Sequence, residues 1–479
     1  MKKVLLVLCL FFFTAKVFAQ QFSQYNTGSL YDSFENPSQR AFIPDSSKQF
    51  ATNFLFPNIN FNFFLSGDAQ ATLKSRAFLN MYDNSALKIN QGQNNLARLN
   101  ANLYLVMFKT FTSLNGDEEM GFSWQVKAEG QGLFTDETIA AFNGTQSFVS
   151  GSAYPNIFNS NYYYQTYHQF SFTYREKFNK VFAFGVKISA LLGIEYQKLD
   201  VTNSNVVYDN IKDTAGVALK GKYYQSYVPG TFTKQDYLPE FRNPGLSISI
   251  GTTYRTEDSF ILQGNIKDLG FIHWSPRSHV YDFDKSAVIQ GLSTPKREDS
   301  IYNKVYDIIH NNPTVGSFTT PIDGRAELSI NKSFWIDDDK NFKYSPTLIA
   351  SKELFNPGFI GALVNPFQYQ KYILTLTTTY DDLKIFNLGA QFMMKTPNWE
   401  FYFGSDKLAQ SVSLLSEATN KNSPGINQNS AYTGADFFIG FSIKFGPVIE
   451  HPMNASAIPT GEKGFLGRLW ARLFKTYSN

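Results

Sequence analysis

Repeated segments with an apolar residue at every second position restrict the fold of this chain more than any other feature. In the segment from Gly434 to Gly446, apolar residues alternate with a mixed, largely polar set. Successive side chains on a strand point to opposite faces, so the segment predicts a strand with one apolar and one polar wall. The first wall holds Phe437, Ile439, Phe441, Ile443 and Phe445, and the second holds Phe438, Gly440, Ser442 and Lys444.

The same alternation recurs along the chain, with polar turns between the segments and almost no helical pattern. A soluble sandwich also contains such strands, but many of them behind a secretory signal are typical of a transmembrane β-barrel. A continuous polar wall is favourable in a wet lumen and costly in a dry core. The clearest example runs from Gly121 to Phe134. We therefore predict a lumen lined by Gln125, Lys127, Glu129, Gln131, Lys187 and Lys444.

The N-terminus has the pattern of a secretory signal peptide over residues 1–19. Lys2 and Lys3 form its charged start, Val4–Phe13 its apolar core, and Val17–Ala19 a small-residue cleavage site. The apolar core is too short to span a membrane as a helix. We expect an exported protein and exclude this segment from the fold.

The amino-acid composition excludes several kinds of site and binding partner. The single cysteine, Cys9, lies in the signal, so the mature chain would have no disulfide and no thiolate metal site. The net charge of +3 falls close to neutral once the three lysines of the signal leave, and no basic block suits nucleic acid. Aromatic residues make up 16% of the chain, which fits the aromatic girdles of outer-membrane barrels.

The alternating segments predict an all-β transmembrane barrel of about fourteen antiparallel strands. We assign thirteen of them, and because bacterial single-chain barrels normally have an even number, we place a further strand at 200–243 or 409–430. Pro57 should interrupt the first strand. The thirteen segments are 49–65, 99–111, 121–134, 163–175, 182–192, 246–254, 260–271, 323–334, 344–351, 372–380, 386–392, 399–403 and 434–446.

Two segments flank the predicted barrel, which spans residues 49–446. Residues 20–48 are polar and irregular and are expected in the lumen or the periplasm. Residues 447–479 are expected as a periplasmic tail with an amphipathic basic helix, which lies on the membrane, fills the barrel mouth, packs against the barrel base or docks on a partner. The apolar face of this helix contains Phe465, Leu466, Leu469, Trp470, Leu473 and Phe474.

One segment carries a family resemblance. Gly264–Trp274, with the sequence GNIKDLGFIHW, resembles a motif of an uncharacterised outer-membrane β-barrel family of Bacteroidota. Members combine it with an Asn-Pro-small segment near the mature N-terminus, here Asn36, Pro37 and Ser38, and with a closing Phe-Gly, here Phe445 and Gly446. That family is similar to the FadL/PorV-like superfamily of fourteen-stranded barrels, in which an N-terminal segment plugs the lumen.

The resemblance implies two functions. Proteins of the FadL type move hydrophobic molecules inward, which implies uptake or carriage of a hydrophobic small molecule with Asn36, Pro37 and Ser38 in the plug. Other Bacteroidota relatives are non-enzymatic accessory subunits of secretion or assembly complexes. The expected location is the outer membrane of a Gram-negative, Bacteroidota-like bacterium. The expected partners are outer-membrane lipid, a hydrophobic ligand and other outer-membrane or periplasmic proteins, and not nucleic acid.

Asp268, Leu269 and Gly270 interrupt the alternation set by Phe260, Leu262 and Ile266. The interruption predicts a bulge or kink. In FadL-type barrels a strand kink opens a lateral exit, so the resemblance implies a gate here, while a device that only curves the strand is the alternative. Trp274, at the end of the motif, is expected as an anchor at the membrane interface.

Candidate catalytic groups form no recognisable constellation. His168, His273, His279, His310 and His451 do not stand at metal-ligand spacing, and Asp337–Asp339 lacks the glycine and distal glutamate of a calcium loop. His168 has the parity of Phe170 and Phe172, which favours an outward position in an aromatic girdle. We therefore expect no enzyme activity, no metal and no cofactor.

Overall fold

The chain forms a closed barrel of fourteen antiparallel strands, which confirms the predicted fold class. The computed structural model describes residues 22–42, 47–54, 56–113, 117–228, 230–356, 358–419 and 432–448. Each strand pairs with its neighbour in the sequence, and the last strand pairs with the first, as in the register Phe61 to Phe437. Closure removes both sheet edges, which a barrel in lipid requires.

We number the barrel strands β1 to β14 in chain order. Strand β1 has two segments, Lys48–Thr52 and Asn58–Ser66, separated at Pro57 as predicted, and β8 has the segments Phe318–Pro321 and Arg325–Lys332. The others are β2 Asn94–Phe111, β3 Glu118–Thr135, β4 Asn161–Lys177, β5 Phe182–Asp209, β6 Pro244–Arg255, β7 Phe260–Trp274, β9 Thr347–Glu353, β10 Phe359–Tyr369, β11 Tyr372–Asp381, β12 Phe386–Lys395, β13 Trp399–Ser405 and β14 Thr433–Val448.

Short helices and strands complete the described residues. The α-helices are α1 Leu30–Glu35, α2 Ala69–Leu79, α3 Asp136–Ala141, α4 Arg297–Ile309 and α5 Leu408–Thr419, and the 3₁₀ turns are Phe22–Gln24 and Lys234–Tyr237. No helix among the described residues is long and apolar enough to cross a membrane. The short strands outside the barrel wall are Ala153–Pro155, Thr214–Gln225, His279–Gln290, Thr314–Val315, Phe334–Trp335 and Phe342–Tyr344.

The barrel wall is apolar on the outside and polar on the inside. On β14, Phe437 and Phe445 are about half exposed, whereas Ser442 and Lys444 are buried. The inward side chains are buried because the lumen is filled, and the outward ones have no protein to cover them. This is the distribution required of a barrel whose outer surface contacts lipid. Its outward residues include Phe122, Phe172, Ile188, Leu246, Leu328, Leu348, Leu363, Leu374, Leu376, Leu388 and Phe403, all exposed.

The strand missing from the sequence assignment is β10, so both positions proposed for it were wrong. The 200–243 region contributes strand Thr214–Gln225 outside the barrel wall, and the 409–430 region begins with helix α5. The sequence of β10 lacks the alternation of apolar and polar residues, because its inward residues are apolar like its outward ones. The inward ones pack against Phe22 of the N-terminal segment, and Pro366 further interrupts the sequence pattern of the strand. The inward residues are Ile360, Ala362 and Val364.

A bulge in β7 reverses the facing of every residue that follows it. The β6–β7 register shifts by one residue between Ile266 and Leu269, and Asp268 has a φ of +47°. The predicted bulge is therefore confirmed. Trp274 is fully buried and donates a hydrogen bond from Nε1 to Thr320 at 2.8 Å, so its prediction as an interfacial anchor is wrong. The extra residue turns Trp274 inward.

The two ends of the barrel differ. At the end where β1 begins, which we call the short-turn end, short connections such as 178–181 and 256–259 join the strands. At the opposite, long-loop end, β5 continues past the wall and pairs with Thr214–Gln225, which pairs with His279–Gln290. This sheet packs with α3 and α4 around its own hydrophobic core, which includes Phe148, Tyr208, Phe283 and Ile308. We call this unit the extension.

Several sequence predictions lie outside the described residues. They are the signal peptide at 1–19 and the amphipathic helix with Phe465, Leu466, Leu469, Trp470, Leu473 and Phe474. The domain boundaries that depend on them stay predictions.

The outward wall should tolerate charge poorly. We expect Leu376→Arg, in the middle of β11, to lower the free energy of unfolding in lipid vesicles by about 2–4 kcal/mol, because the guanidinium would face hydrocarbon. Val288→Arg replaces a residue on the extension that is at least as exposed, and should change stability by no more than about 0.5 kcal/mol. Denaturant titration of both variants measures the difference. Equal effects would show that β11 does not face lipid.

Candidate functional site

The lumen is occupied by the chain's own N-terminal segment, residues 22–42, which we call the plug. A tight turn at Gly28, with a φ of +59°, leads into helix α1. Ser29 caps this helix, since its Oγ accepts a hydrogen bond from the Asp32 N–H at 3.2 Å. Leu30 and Phe34 of α1 are completely buried. A helix this short is marginal by itself, so the barrel supplies its stability.

Aromatic side chains on the barrel wall pack against helix α1. The Tyr31 ring lies edge-on to Tyr104 of β2, with ring centroids 5.6 Å apart, and to Tyr402 of β13 at 6.1 Å. Phe34 also packs against Tyr104, with ring centroids 6.3 Å apart. Burial of these rings drives the helix into the lumen. The complete apolar cluster contains Leu30, Tyr31, Phe34, Ala41, Phe42, Ala51, Tyr104, Met107, Phe111, Ile373, Met393, Tyr402 and Phe438.

Carboxylates on the wall accept hydrogen bonds from the backbone of the plug. The Phe22 N–H donates to Asp406 at 2.8 Å, the Leu30 N–H to Glu400 at 3.0 Å, and the Ala41 N–H to Glu119 at 3.1 Å. These contacts satisfy N–H groups that burial would otherwise leave unpaired, at a cost of roughly 1–3 kcal/mol each. The plug is therefore held at its start, middle and end.

Lys444, which was predicted to line the lumen, also holds the plug to the wall. Lys444 Nζ donates to the Ala41 carbonyl oxygen at 2.8 Å and lies 2.9 Å from Glu400. Lys109 Nζ likewise donates a hydrogen bond to the Ser33 carbonyl oxygen at 3.1 Å and lies 3.5 Å from the Glu119 carboxylate. Each lysine thus links a wall carboxylate to the backbone of the plug.

The predicted plug residues Asn36, Pro37 and Ser38 lie against two glycines of the wall. A Cβ at Gly185 of β5 would overlap the Pro37 carbonyl, and a Cβ at Gly251 of β6 would overlap the Asn36 side chain. The backbone of the plug therefore approaches these strands more closely than a residue with a Cβ atom at position 185 or 251 would permit.

Ser38 makes the polar contacts of this segment. Its Oγ lies 2.7 Å from Thr253 Oγ1, and its carbonyl oxygen accepts a hydrogen bond from Arg175 Nε at 2.8 Å. Asn36 Oδ1 accepts from the Ser38 N–H at 3.1 Å, which fixes the turn. The segment lies in the lumen, as expected, and its role there stays a prediction.

Asp268 is the centre of a buried ion cluster. Its carboxylate lies 2.5 Å from Lys127 Nζ and 3.1 Å from Lys187 Nζ, and accepts a hydrogen bond from Gln169 at 2.8 Å. The bulge makes this possible, because Lys267 and Asp268 are adjacent and yet both point inward. The structure thus joins the predicted bulge residue to two predicted lumen residues. Leu269 points outward, and Gly270 fits closely against Leu246 and Ser247.

Lys267 connects this cluster to the plug. Its Nζ lies 2.8 Å from Glu35 at the end of α1 and 3.5 Å from Glu327 of β8. The Tyr104 hydroxyl donates to Glu35 at 2.7 Å. Burial alone would raise the pKa of Glu35, but Lys267, Lys187 and Lys127 lower it to about 2. Glu35 is therefore ionised at neutral pH and holds the plug to the bulge.

The remaining predicted lumen residues also point inward. Gln125 donates a hydrogen bond to Gln169 at 2.6 Å, and Glu129 accepts one from Gln165 at 3.0 Å. Gln131 is half-buried. Both signs of charge alternate around the lumen, so it does not resemble a path selective for anions or cations.

Sequence reasoning missed several residues of this site. Glu35 and Lys267 carry the plug contact, and Gly185 and Gly251 make room for it. Strand parity predicts that Gly185 faces inward with Lys187, and that Lys267 faces inward with Gln263 and Asn265. Asp268 is the residue that has outward parity until the bulge is placed.

The described residues offer no metal centre, since no three His, Cys, Asp or Glu side chains among them are placed to hold a metal ion. His168 points outward, as its parity predicts, and lies 2.9 Å from the Tyr237 carbonyl. The expectation that the protein is not an enzyme stays a prediction.

Comparison with known proteins gives a family match and distant structural similarities. The model described as "Family of unknown function (DUF5723)" matches residues 41–406. No curated protein sequence matches the chain significantly.

Among solved structures, the toluene transporter TodX of Pseudomonas putida is 8% identical, with 90% of this chain and 97% of that chain covered and a TM-score of 0.41. The toluene transporter TbuX of Ralstonia pickettii is 10% identical, with 87% and 94% covered and a TM-score of 0.41. A FadL homologue of Pseudomonas aeruginosa is 11% identical, with 88% and 94% covered and the same TM-score of 0.41. We base no conclusion on similarities this distant.

The close approach at Gly185 can be tested with one methyl group. We expect Gly185→Ala to displace the plug, since the new Cβ would overlap Pro37, at a cost of about 1–3 kcal/mol. The readout is proteolysis of the plug in detergent-solubilised barrels, which should become faster. Gly361→Ala is the control on β10, where a new Cβ meets only the Tyr380 carbonyl at 3.9 Å. Unchanged proteolysis of Gly185→Ala would contradict this packing.

Attachment of the plug should depend on pH through Asp32. Burial raises the pKa of Asp32 to about 7, against the partial effect of the Gly28 N–H and of Lys395 and Lys267. The docked plug therefore binds this proton more tightly than a released plug does. The contribution of Asp32 to docking is fully present below the ordinary carboxyl pKa of 3.8 and is lost as the pH rises through 7.

Planar-bilayer conductance measures this effect. Opening events should be more frequent at pH 8 than at pH 5, and Asp32→Asn, which cannot ionise, should reduce the difference. Glu35 does not interfere, because it stays ionised over this range. Asp338→Asn, in an exposed turn, should leave the pH dependence unchanged. An Asp32→Asn protein that responds to pH like the wild type would refute the assignment.

Proposed function

Because this chain belongs to the family of unknown function (DUF5723), we propose its function from its own geometry: it is an outer-membrane barrel that carries a hydrophobic small molecule past a displaceable plug and out through the wall at the β7 bulge. The long-loop end faces the outside of the cell and the short-turn end faces the periplasm.

One observation carries the proposal, namely an interruption of the wall beside the plug. The β7–β8 ladder stops at the pair Lys267–Arg325 and resumes at Phe271–Pro321. Between these pairs, the Ile322 N–H donates to the Gly270 carbonyl at 3.1 Å. On the other side of β8, the ladder with β9 ends at Arg325 and Glu353, and beyond it the Leu354 N–H donates to the Gly324 carbonyl oxygen at 2.9 Å. The wall is therefore held by fewer hydrogen bonds here than along the continuous ladders.

The surroundings of this interruption suit an apolar cargo. Leu269, Phe271, Leu354 and Phe355 are exposed next to it on the outside. On the inside lies the Asp268 cluster, which is coupled to Glu35 of the plug through the neighbouring Lys267. Displacement of the plug removes Glu35 from Lys267, and this supplies a physical link between an open lumen and a looser wall.

The attachment of the plug suits reversible displacement. Many of its contacts are hydrogen bonds and ion pairs, whose polar groups water can solvate in turn. An open water-filled porin is less compatible with a lumen that buries Leu30 and Phe34 completely.

A second function is favoured by a different observation. The extension has its own hydrophobic core and a polar outer face with cross-strand ion pairs, such as Lys220 to Asp284 at 2.8 Å. A simple pore has no need of such a unit. A non-enzymatic accessory subunit of an outer-membrane complex would use it as a binding surface.

A disulfide lock on the plug separates the two functions. Ser38 Oγ and Thr253 Oγ1 are 2.7 Å apart, and the only natural cysteine is Cys9 in the predicted signal, so Ser38→Cys with Thr253→Cys can join the plug to β6. We expect the oxidised double variant to lose uptake of radiolabelled dodecanoate and naphthalene into cells that carry it in their outer membrane. Reductant should restore uptake, and each single variant should match the wild type.

Uptake by the oxidised double variant at the wild-type rate would contradict the proposal that the protein is a carrier. Native mass spectrometry of the same samples tests the second function. A stoichiometric complex with other envelope proteins, equally present with the plug locked or free, would support the subunit role.

A further inference from the structure

The connection between β5 and β6 folds back against the outside of the barrel. Its 3₁₀ turn, Lys234–Tyr237, brings the Tyr237 carbonyl oxygen 2.9 Å from His168 Nε2. His168 points outward on β4, where it pairs in register with Val126 of β3 and accepts a hydrogen bond from Trp124 Nε1 at 3.2 Å. The turn therefore covers part of the outer wall and does not stand above the barrel.

Hydrogen bonds and aromatic contacts hold this connection against the barrel wall. Asn243 and Gly193 exchange two hydrogen bonds, at 2.8 and 3.0 Å, where the connection rejoins the wall. The Tyr227 hydroxyl donates to Glu195 at 2.8 Å. Phe232 lies between Tyr227 and Tyr237, with ring centroids 4.9 and 5.0 Å away. The turn is thus held in one position against β4 and β5.

The braced turn presents apolar side chains away from the protein. Phe241 is 84% exposed, Leu238 63% and Tyr237 58%, which are high values for residues this large. Arg242 neutralises the nearby acidic groups, at 3.3 Å from Asp236 and 2.9 Å from Glu240. An apolar surface with internally paired charge suits a lipid boundary, where aromatic residues are enriched.

The position of the turn matches the outer limit of a membrane span. A tilted transmembrane strand needs about 9–11 residues. Strand β4 ends at Lys177 at the short-turn end, and His168 lies nine residues before it. The exposed residues of the turn also adjoin the apolar outer wall, since Leu246 follows directly on β6 and is 58% exposed.

We propose that Tyr237, Leu238 and Phe241 form a wedge that inserts among the acyl chains of the outer leaflet, an inference that rests on the proposed membrane location but not on the cargo. The wedge fixes how deeply the β4–β6 side of the barrel sits in the bilayer. Its bound partner is lipid, and it continues the apolar surface of the wall. A protein partner on this surface is the alternative outcome.

Spin labelling tests the wedge directly. The variants Leu238→Cys and Phe241→Cys are labelled with a nitroxide in the full-length mature protein, which has no other cysteine once the predicted signal is removed. Ile211→Cys is the matched control, an apolar residue 94% exposed at the turn after Asp209 on the extension. Leu376→Cys, on the outward face of β11, is the reference for lipid. All four are reconstituted in phosphatidylethanolamine and phosphatidylglycerol vesicles.

Collision with oxygen and with a water-soluble nickel complex distinguishes lipid from water. We expect labels at 238 and 241 to collide with oxygen as the label at 376 does, and the nickel complex to reach them several-fold less than it reaches the label at 211. Nickel accessibility at 238 and 241 equal to that at 211 would overturn the wedge, and a protein partner absent from these vesicles would give this result. If the label at 376 is also accessible to nickel, the membrane location itself fails.

Discussion

Neutralisation of buried charge inside the barrel is the constraint on which the rest of the structure depends. Alternation places Lys127, Lys187 and Lys267 in a lumen that the chain itself fills. A buried charge that loses its partner costs about 3–5 kcal/mol, so each lysine must find a carboxylate. The bulge in β7 supplies Asp268 to two of them, and the plug supplies Glu35 to the third. The strand irregularity and the occupied lumen are therefore parts of one electrostatic solution.

The same pairing connects the plug to the wall at the place where the ladder is weakest. Lys267 pairs with Glu35, and its neighbour Asp268 forms the bulge beside the interruption of the β7–β8 ladder. A change in the plug therefore reaches the wall through two adjacent residues. Asp32, whose pKa burial raises, lies on the same helix as Glu35, so protonation of the plug acts close to this link.

The two-residue period of the strands predicts the facing of some residues correctly and of others wrongly. The alternation on β14 predicted both the apolar outer wall and the inward position of Lys444, because facing follows directly from the two-residue period. It failed for β10, whose inward Ile360 and Val364 are apolar because they pack against the plug. It also fails for Trp274, because the bulge that Asp268–Gly270 predict reverses the facing of every residue after it.

The sequence alone determined that the chain forms a barrel with a polar interior and an apolar exterior, since periodicity is a local property of each strand. It also determined which polar residues enter the lumen, apart from those beyond the bulge. Only the tertiary structure decided which of these residues meet. The pairing of Glu35 with Lys267 joins positions far apart in the chain, and the contact of Pro37 with Gly185 depends on backbone approach. Such contacts are set by closure of the barrel and by the path of the plug, and neither leaves a periodic signal in the sequence.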